Sequence, residues 1–403
     1  MKLAKRVNVL KPSITLSITA RANALKAQGV DVIGYGAGEP DFDTPDQIKK
    51  AAIAAIEKGL TKYTASAGIV PLREEICKKL HQDNGLSYKP EQVIVGAGAK
   101  YVIFEVVCGI VEDGDEVVVP APYWVSYPEM VAFAGGKSVF IDTTKTAFKV
   151  TPEALRAAIT PKTKAIFLNY PSNPTGATYS KEELKALADI IVEKNIVCIS
   201  DEIYEKLLYD GKKHISIASF GQDIYERTFV VNGMSKSFAM TGWRVGYVAG
   251  PVSPMKVINM LQDHSTSNVC TVAQYAALEG LKLENSGDAM FKGVIDGMIS
   301  AFVERRNVMV ERLNSIPGFS CQKPDGAFYC FPDVSSLIGK SYNGVQIKGS
   351  MDLAEALLAR AQVAIVPGIA FGADRCVRFS YAMKTSELLR GLDRIEKFVR
   401  QLQ

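Results

Sequence analysis

Short runs of β-branched and other apolar residues alternate with longer amphipathic stretches through the middle of the chain. This alternation is typical of parallel strands joined by crossover helices. The predicted strands, which share this apolar character, are residues 92–95, 116–119, 138–141, 165–168, 197–200, 228–231 and 245–249. The predicted helices between them are residues 101–111, 152–159, 181–194 and 253–260. The pattern therefore predicts an α/β fold for this part of the chain.

A different pattern begins after Gly287, where a long helix-forming stretch is followed by three short apolar runs. These runs, which predict short strands, are residues 328–331, 364–366 and 377–381. Strands and helices that do not alternate regularly favour an α+β arrangement. The predicted division is an N-terminal segment over residues 1–46 that packs with the small domain, a large domain over residues 47–290 and a small α+β domain over residues 291–403.

Composition narrows the class of protein. The chain has 403 residues, of which 47% are hydrophobic and 22% charged, so disorder and a disulfide-stapled miniprotein are excluded. The net charge of +4 arises from 47 basic and 43 acidic residues without a block of one sign, which argues against a nucleic-acid partner. No segment reaches the ~18 uninterrupted apolar residues that a membrane span needs. We expect a protein without a membrane-spanning segment.

Cysteine and histidine usage bears on location and on metal binding. The seven cysteines include no C-x-x-C pair, and an odd number in a long chain argues against a disulfide framework. The three histidines, His81, His214 and His264, are far apart in the sequence. We therefore expect a cytoplasmic protein with no structural metal.

Polar and glycine-rich stretches follow several predicted strands, at the edge where parallel sheets bind ligands. These stretches are Gly96-Ala97-Gly98-Ala99-Lys100, Asn173-Pro174-Thr175-Gly176, Asp201-Glu202-Ile203-Tyr204 and the segment from Ser235-Lys236 to Arg244. Each has a simple structural interpretation: a packed strand-to-helix turn, a β-turn, a helix cap, or a solvated loop with an ion-pairing arginine. Taken singly, none of them identifies a function.

In combination, their order and spacing resemble the aspartate aminotransferase family, a fold type I group of pyridoxal-phosphate enzymes. Further matching stretches are Lys11-Pro12-Ser13, Gly36-Ala37-Gly38-Glu39-Pro40-Asp41-Phe42, Tyr63 with Gly68 and Arg73, Pro122-Tyr123-Trp124, and Arg378-Phe379-Ser380. The resemblance covers nearly the whole chain. It implies an α/β fold with a mostly parallel seven-stranded sheet between helices in the large domain, plus a smaller α+β domain.

The resemblance implies a site for pyridoxal 5'-phosphate. Lys236 would form an imine with the cofactor and later act as a base at the α-carbon of the substrate. Asp201 would pair with the pyridine nitrogen and keep it protonated. Tyr204 and Asn173 would hydrogen-bond the phenolic oxygen, and Trp124 would stack on the ring.

The resemblance also implies how the cofactor phosphate is held. The expected donors are Arg244, Ser235 and the backbone of Gly98 and Ala99, where a helix is predicted to begin. Tyr63 resembles a tyrosine that family members supply to the phosphate from the neighbouring subunit. The resemblance therefore implies a homodimer.

For the substrate, Arg378 matches the arginine that grips the α-carboxylate, and the backbone of Gly38 matches a glycine that contacts the same molecule. Lys100 matches a lysine associated with a second carboxylate, which suggests a dicarboxylic amino acid. Ser13 and Thr15 belong to a segment that would close over the site and exclude water.

These expectations predict an aminotransferase that moves the amino group of L-aspartate to 2-oxoglutarate by a ping-pong mechanism. An aminotransferase for prephenate or an aromatic oxo acid shares every cofactor residue, and a β-lyase of the same fold also remains open. A pyridoxal-phosphate-binding transcription regulator is disfavoured, since no basic recognition helix precedes the sheet. The resemblance further suggests cis peptide bonds at Ala121-Pro122 and Asn173-Pro174.

Overall fold

The computed structural model describes residues 3–403. Its strands are β1 (Ile33–Gly34), β2 (Val93–Gly96), β3 (Glu116–Ala121), β4 (Lys137–Asp142), β5 (Thr163–Asn169), β6 (Val197–Asp201), β7 (Thr228–Gly233), β8 (Gly246–Ala249), β9 (Tyr329–Cys330), β10 (Ser341–Tyr342), β11 (Val345–Gln346), β12 (Val363–Ala364), β13 (Val366–Pro367) and β14 (Val377–Ser380). Its helices are α1 (Lys5–Asn8), α2 (Ile14–Ala27), α3 (Asp46–Glu57), α4 (Val70–Asn84), α5 (Ala99–Ile110), α6 (Tyr127–Phe133), α7 (Pro152–Ala158), α8 (Lys181–Glu193), α9 (Gln222–Tyr225), α10 (Met234–Ser237), α11 (Val252–Asp263), α12 (Thr271–Ser286), α13 (Ala289–Ser315), α14 (Ser350–Ala356) and α15 (Thr385–Val399).

The seven predicted strands of the large domain form one sheet, in the order β2-β8-β7-β6-β5-β3-β4. Neighbouring strands are parallel except at β8, which runs antiparallel to both β2 and β7. Every residue of β2, β7 and β8 is buried, because helices cover both faces. Strands covered on both faces have continuous rather than alternating apolar patterns, as the sequence shows here. The predicted mostly parallel α/β fold is confirmed.

Two helices that the sequence pattern did not predict, α4 and α12, pack against this sheet. Leu72 and Ile76 of α4 and Ala276 of α12 belong to the same buried cluster as Val95 of β2. The apolar face of α12 consists largely of alanine and glycine. Such small residues give a weak helical periodicity, which explains why the pattern did not reveal this helix.

The C-terminal part of the chain follows α13 and contains the three-stranded antiparallel sheet β13-β14-β9. The N-terminal segment contacts this part of the molecule, since β1 pairs in parallel with β12. Ile18 of α2 packs with Leu358 and Ala364 in a shared apolar cluster. The small α+β unit is present, whereas the exact domain limits at residues 46 and 290 stay predictions.

Two further features concern the backbone and the helices. The peptide bonds Ala121-Pro122 and Asn173-Pro174 are cis, as the resemblance suggested, and Tyr170-Pro171 is also cis. Among residues 3–403, no helix has both the length and the apolar composition needed to cross a membrane.

Candidate active site

A cleft of about 880 Å³ opens at the carboxyl ends of β5, β6 and β7 and is bounded on its other side by α2 and the small sheet. The predicted site residues that line it are Thr15, Gly38, Ala99, Lys100, Trp124, Asn173, Asp201, Tyr204, Ser235, Lys236, Arg244 and Arg378. Residues that are distant in the sequence therefore meet around one cavity.

Three predicted residues do not line the cleft. Gly98 lies just outside it, as the N-cap of α5. The hydroxyl of Ser13 lies 2.8 Å from that of Thr15, at the start of α2. Tyr63 is 92% exposed and does not reach the cleft of its own chain.

Lys236 lies in the short helix α10, directly after β7, and its amine donates a hydrogen bond to the carbonyl oxygen of Gly38. The side chain of Lys236 is half-buried and lines the cleft. Burial lowers the pKa of Lys236 to about 8; the Glu39 carboxylate opposes this shift, and the guanidinium of Arg378 adds to it. Roughly a tenth of such amines are neutral at pH 7, far more than for an ordinary lysine.

Asp201 is the last residue of β6 and is almost fully buried. One carboxylate oxygen accepts a 2.6 Å hydrogen bond from the hydroxyl of Tyr127, and the other accepts one from the backbone of Ile203. Burial raises the pKa of Asp201 to about 6, and the hydrogen bond from Tyr127 limits that rise. The carboxylate is therefore mostly ionised at neutral pH and suits a cationic partner.

A group of hydrogen-bond donors converges where α5 begins. The guanidinium of Arg244 donates to the carbonyl oxygens of Thr241 and Ala97, at 2.8 and 3.2 Å. A Cβ atom on Gly98 would lie 2.5 Å from this guanidinium, so the loop and the arginine approach as closely as glycine permits. A Cβ atom on Gly246 would similarly lie 2.3 Å from the amide nitrogen of Ala99.

Arg244 itself has a φ of 57°, in the left-handed region that side-chain-bearing residues rarely adopt. Backbone of this kind is often found at ligand sites. The cationic side chain of Arg244, the backbone at the start of α5 and the buried residue Ser235 form a donor set that suits a phosphate group.

Arg378 lies on the opposite side of the cleft, in β14, and is 4% exposed. Its guanidinium donates to the side-chain oxygen of Asn173 and to the carbonyl oxygen of Gly36, both at 2.9 Å. Within residues 3–403, its Nε atom has no hydrogen-bond partner. Burial lowers the pKa of Arg378 from its ordinary value, yet the group stays cationic at neutral pH. A buried cation with a spare donor suits a carboxylate ligand.

Lys100 places a second cation in the same cleft. Its amine lies 4.9 Å from the ring centre of Trp124, and burial, together with the nearby Arg244, lowers its pKa. Trp124 in turn meets Tyr127 edge to face, with ring centres 5.3 Å apart. Arg378 lies 4.5 Å from the ring centre of Tyr329, so the cleft has two separate cations, each beside an aromatic ring.

These residues fit the cofactor that the resemblance implies. Pyridoxal phosphate needs a primary amine, an acid for its pyridine nitrogen and donors for its phosphate. Lys236 offers an amine of lowered pKa, Asp201 a buried carboxylate, and Arg244 and the start of α5 a cradle of donors.

Sequence reasoning missed three residues that contact the predicted ones. Asn169, the last residue of β5, accepts a hydrogen bond from the backbone of Asn173 and donates one to the carbonyl oxygen of Asp201. Its position at a strand end was a signal that could have identified it. Tyr127 and Tyr329 lack such a signal, because nothing in the sequence shows that their hydroxyls point toward Asp201 and Tyr204.

Comparison with known proteins gives a consistent result. A family model described as aminotransferase class I and II matches residues 30–395. The chain is 49% identical over 401 residues to a probable aspartate/prephenate aminotransferase of Aquifex aeolicus, with 99% of each chain covered. It is 47% identical over 403 residues to an aspartate aminotransferase of Bacillus subtilis, again with 99% of each covered. A structure of aspartate aminotransferase from Thermus thermophilus with maleate superposes with a TM-score of 0.92 at 43% identity, covering 99% of this chain and 100% of that one.

Proposed function

The chain belongs to the class I and II aminotransferase family, and on that premise we propose that it transfers the amino group of L-aspartate to 2-oxoglutarate. The products would be oxaloacetate and L-glutamate, formed by a ping-pong mechanism with pyridoxal 5'-phosphate as cofactor. One observation carries the choice of substrate: Arg378 and Lys100 place two cations in the cleft that holds the amine of Lys236. Two cations suit an amino acid with two carboxylates.

Pyridoxal phosphate, when bound, supplies an aldehyde that takes up amino groups and a ring that accepts the electron pair released at the substrate α-carbon. Lys236 would hold it covalently. The carboxylate of Asp201, kept ionised by the Tyr127 hydrogen bond, would hold a proton on the pyridine nitrogen. Trp124 would cover one face of the ring.

The remaining contacts would fix the orientation of the cofactor. Arg244, Ser235 and the backbone of Gly98 and Ala99 at the start of α5 would bind the phosphate. Tyr204 and Asn173 would hydrogen-bond the phenolic oxygen; Asn173 is already held in place by Asn169 and Arg378.

Once the substrate amine has taken its place, the amine of Lys236 would remove the proton from the substrate α-carbon and deliver it to the former aldehyde carbon of the cofactor. A base works best with a pKa near the working pH, and the pKa of about 8 meets this requirement.

Substrate orientation would come from the cations. The planar guanidinium of Arg378 would bind the α-carboxylate, with the backbone of Gly38 beside it, and Lys100 would bind the distal carboxylate. Thr15 and Ser13, at the start of α2, would add hydroxyl contacts as this segment closes over the bound substrate.

We further propose a homodimer in which Tyr63 reaches the phosphate site of the partner subunit. The exposure of its side chain, and its distance from the cleft of its own chain, support this assignment. All seven cysteines are free thiols, which supports the reducing cytoplasm as the location. Neither a nucleic acid nor a membrane is a proposed partner.

Prephenate is a second candidate substrate. The relative from Aquifex aeolicus is named for both aspartate and prephenate, and prephenate also carries two carboxylates that Arg378 and Lys100 could bind. A panel of amino donors and oxo acids that includes prephenate, with products resolved by chromatography, tests both candidates. Turnover of L-aspartate with 2-oxoglutarate supports the proposal; release of pyruvate and ammonia from a cysteine conjugate, without need of an oxo acid, would instead indicate a β-lyase.

A further inference from the structure

Tyr329 lies between the residue proposed to bind the substrate and a residue proposed to bind the cofactor. It belongs to β9, which pairs with β14 so that Tyr329 is opposite Ser380. Side chains alternate along a strand, so Arg378 and Ser380 share one face of the sheet, and Tyr329 shares it with them. The guanidinium of Arg378 accordingly lies 4.5 Å from the centre of the Tyr329 ring.

The hydroxyl of Tyr329 makes the second connection, since it lies 2.9 Å from the hydroxyl of Tyr204. Both side chains are buried, and their rings meet nearly at right angles. A phenol has one proton to donate. If Tyr204 donates its proton to the phenolic oxygen of the cofactor, its own oxygen is left to accept the proton of Tyr329.

We propose that Tyr329 is a positioning residue that couples occupancy of the substrate site at Arg378 to the hydrogen bond that Tyr204 gives the cofactor. This proposal rests on the proposed function. A cation over the ring of Tyr329 draws electron density from it and makes its hydroxyl a better donor. A phenol that accepts such a bond is itself polarised and donates more strongly. A substrate carboxylate on Arg378 would neutralise the cation and weaken both bonds.

The surrounding charges are consistent with this chain of hydrogen bonds. Besides burial, the positive charge of Arg378 lowers the pKa of both tyrosines. The negative charges of Glu39 and Asp201 raise the pKa of Tyr329 and of Tyr204, respectively. Burial raises the pKa of both phenols, so both keep their protons over the neutral range. The hydroxyl pair therefore stays a donor and an acceptor while the charge on Arg378 is neutralised or restored.

The test compares the holoenzyme with its Tyr329→Phe variant and with Tyr381→Phe as the matched control. Tyr381 is equally buried, and its hydroxyl donates to the carbonyl oxygen of Ala327, away from Arg378 and Tyr204. The measurement is the pH midpoint of the change in visible absorption, recorded with and without maleate, a dicarboxylate that has no amino group to transfer.

Loss of the Tyr329 hydroxyl weakens the bond from Tyr204, so the cofactor keeps its proton to higher pH. We expect the Tyr329→Phe midpoint to rise by roughly 0.1 to 0.3 unit, because the variant keeps the Tyr204 bond and loses only the strengthening that Tyr329 gives it. We also expect maleate to move the midpoint less in Tyr329→Phe than in the wild-type protein. Tyr381→Phe should show the wild-type midpoint and the wild-type response.

Two outcomes would overturn the inference. One is a Tyr329→Phe protein whose midpoint and response to maleate equal those of the wild type. The other is an equal change in both variants, which would reflect packing of the small domain and not coupling. A wild-type protein that gains no visible absorption with pyridoxal phosphate would overturn the proposed function itself, and this is recognised before any variant is made.

Discussion

The two sides of the cleft are built in different ways. The strand-end wall consists of Asp201, Ser235 and Lys236, which directly follow or end neighbouring strands of one sheet. The small-sheet wall consists of Tyr329 and Arg378, which are held in place by contacts with distant parts of the chain, such as Asn173. The first wall carries groups whose pKa values move toward neutrality, while the second carries a buried guanidinium that stays charged. The comparison suggests that proton chemistry belongs to the first wall and recognition to the second.

Removing the amine of the strand-end wall should have the largest effect. Lys236→Ala removes both the covalent attachment and the base, so kcat should fall by roughly 10⁴-fold or more. Steady-state transamination measures the loss of kcat, and the visible spectrum of the reconstituted protein measures the loss of the covalent attachment. Lys292→Ala, which removes an exposed lysine paired with Asp296, should match the wild type. Substantial turnover by Lys236→Ala would show that the division between the walls is wrong.

A change in the small-sheet wall should act on recognition. Arg378→Leu removes a buried charge and should lower kcat/KM for L-aspartate and 2-oxoglutarate by roughly 10²- to 10³-fold. Arg378→Lys keeps the charge but loses the planar pair of donors, so its kcat/KM should lie between that of the wild type and that of Arg378→Leu. The visible spectrum of both variants should stay close to that of the wild type in its intensity. If Arg378→Leu instead lost the cofactor, the functions of the two walls could not be separated.

Lys100 tests whether recognition is confined to the small-sheet wall, because it follows β2 of the large sheet but is expected to bind the substrate. Lys100→Met should lower kcat/KM for L-aspartate by roughly 10- to 100-fold, the value of a charge-assisted hydrogen bond. With L-alanine, which has no second carboxylate, the same variant should change little. An equal loss with both amino acids would indicate a role in holding the cofactor or the fold.

The smallest effect should come from Glu39, whose carboxylate acts across the cleft on Lys236. Since this negative charge raises the pKa of Lys236, Glu39→Gln should lower it below its value of about 8, by less than about one unit. Only the neutral amine attacks an aldehyde, so the recombination rate of apoprotein with pyridoxal phosphate should reach its plateau at lower pH.

Thr241→Val serves as the comparison for Glu39→Gln, because it removes the 2.8 Å hydrogen bond to Glu39 but keeps the charge. Its recombination midpoint should lie closer to that of the wild type than the midpoint of Glu39→Gln does. A midpoint that rises in Glu39→Gln would contradict the assigned sign of the interaction.

The contrast between the walls also explains what the sequence could predict. The strands of the large sheet are runs of apolar residues, and the residues that follow them must meet at one edge of a parallel sheet. Asp201 and Lys236 could therefore be placed together from the pattern, although their roles came from the resemblance. The direction of the Tyr127 hydroxyl could not be predicted, because it depends on how α6 packs beside Phe167.

The small-sheet wall was harder to predict. Its strands are short: β9 has two residues and β14 has four. Patterns of that length do not fix which face a side chain occupies. The contact between Tyr329 and Arg378 depends on the pairing register of β9 and β14, which only the folded chain determines. Tyr63 stays a prediction, since its proposed contact lies in a partner subunit.

The close approach of the α5 loop to its neighbours restricts how this protein can be diversified. A methyl group at Gly98 or at Gly246 would collide with Arg244 or with the backbone of Ala99. Saturation libraries aimed at new substrates should therefore leave these two codons unchanged and vary the opposite rim, where Thr15, Thr19 and Asn23 of α2 line the opening. A library designed in this way would vary only positions where other side chains can be accommodated.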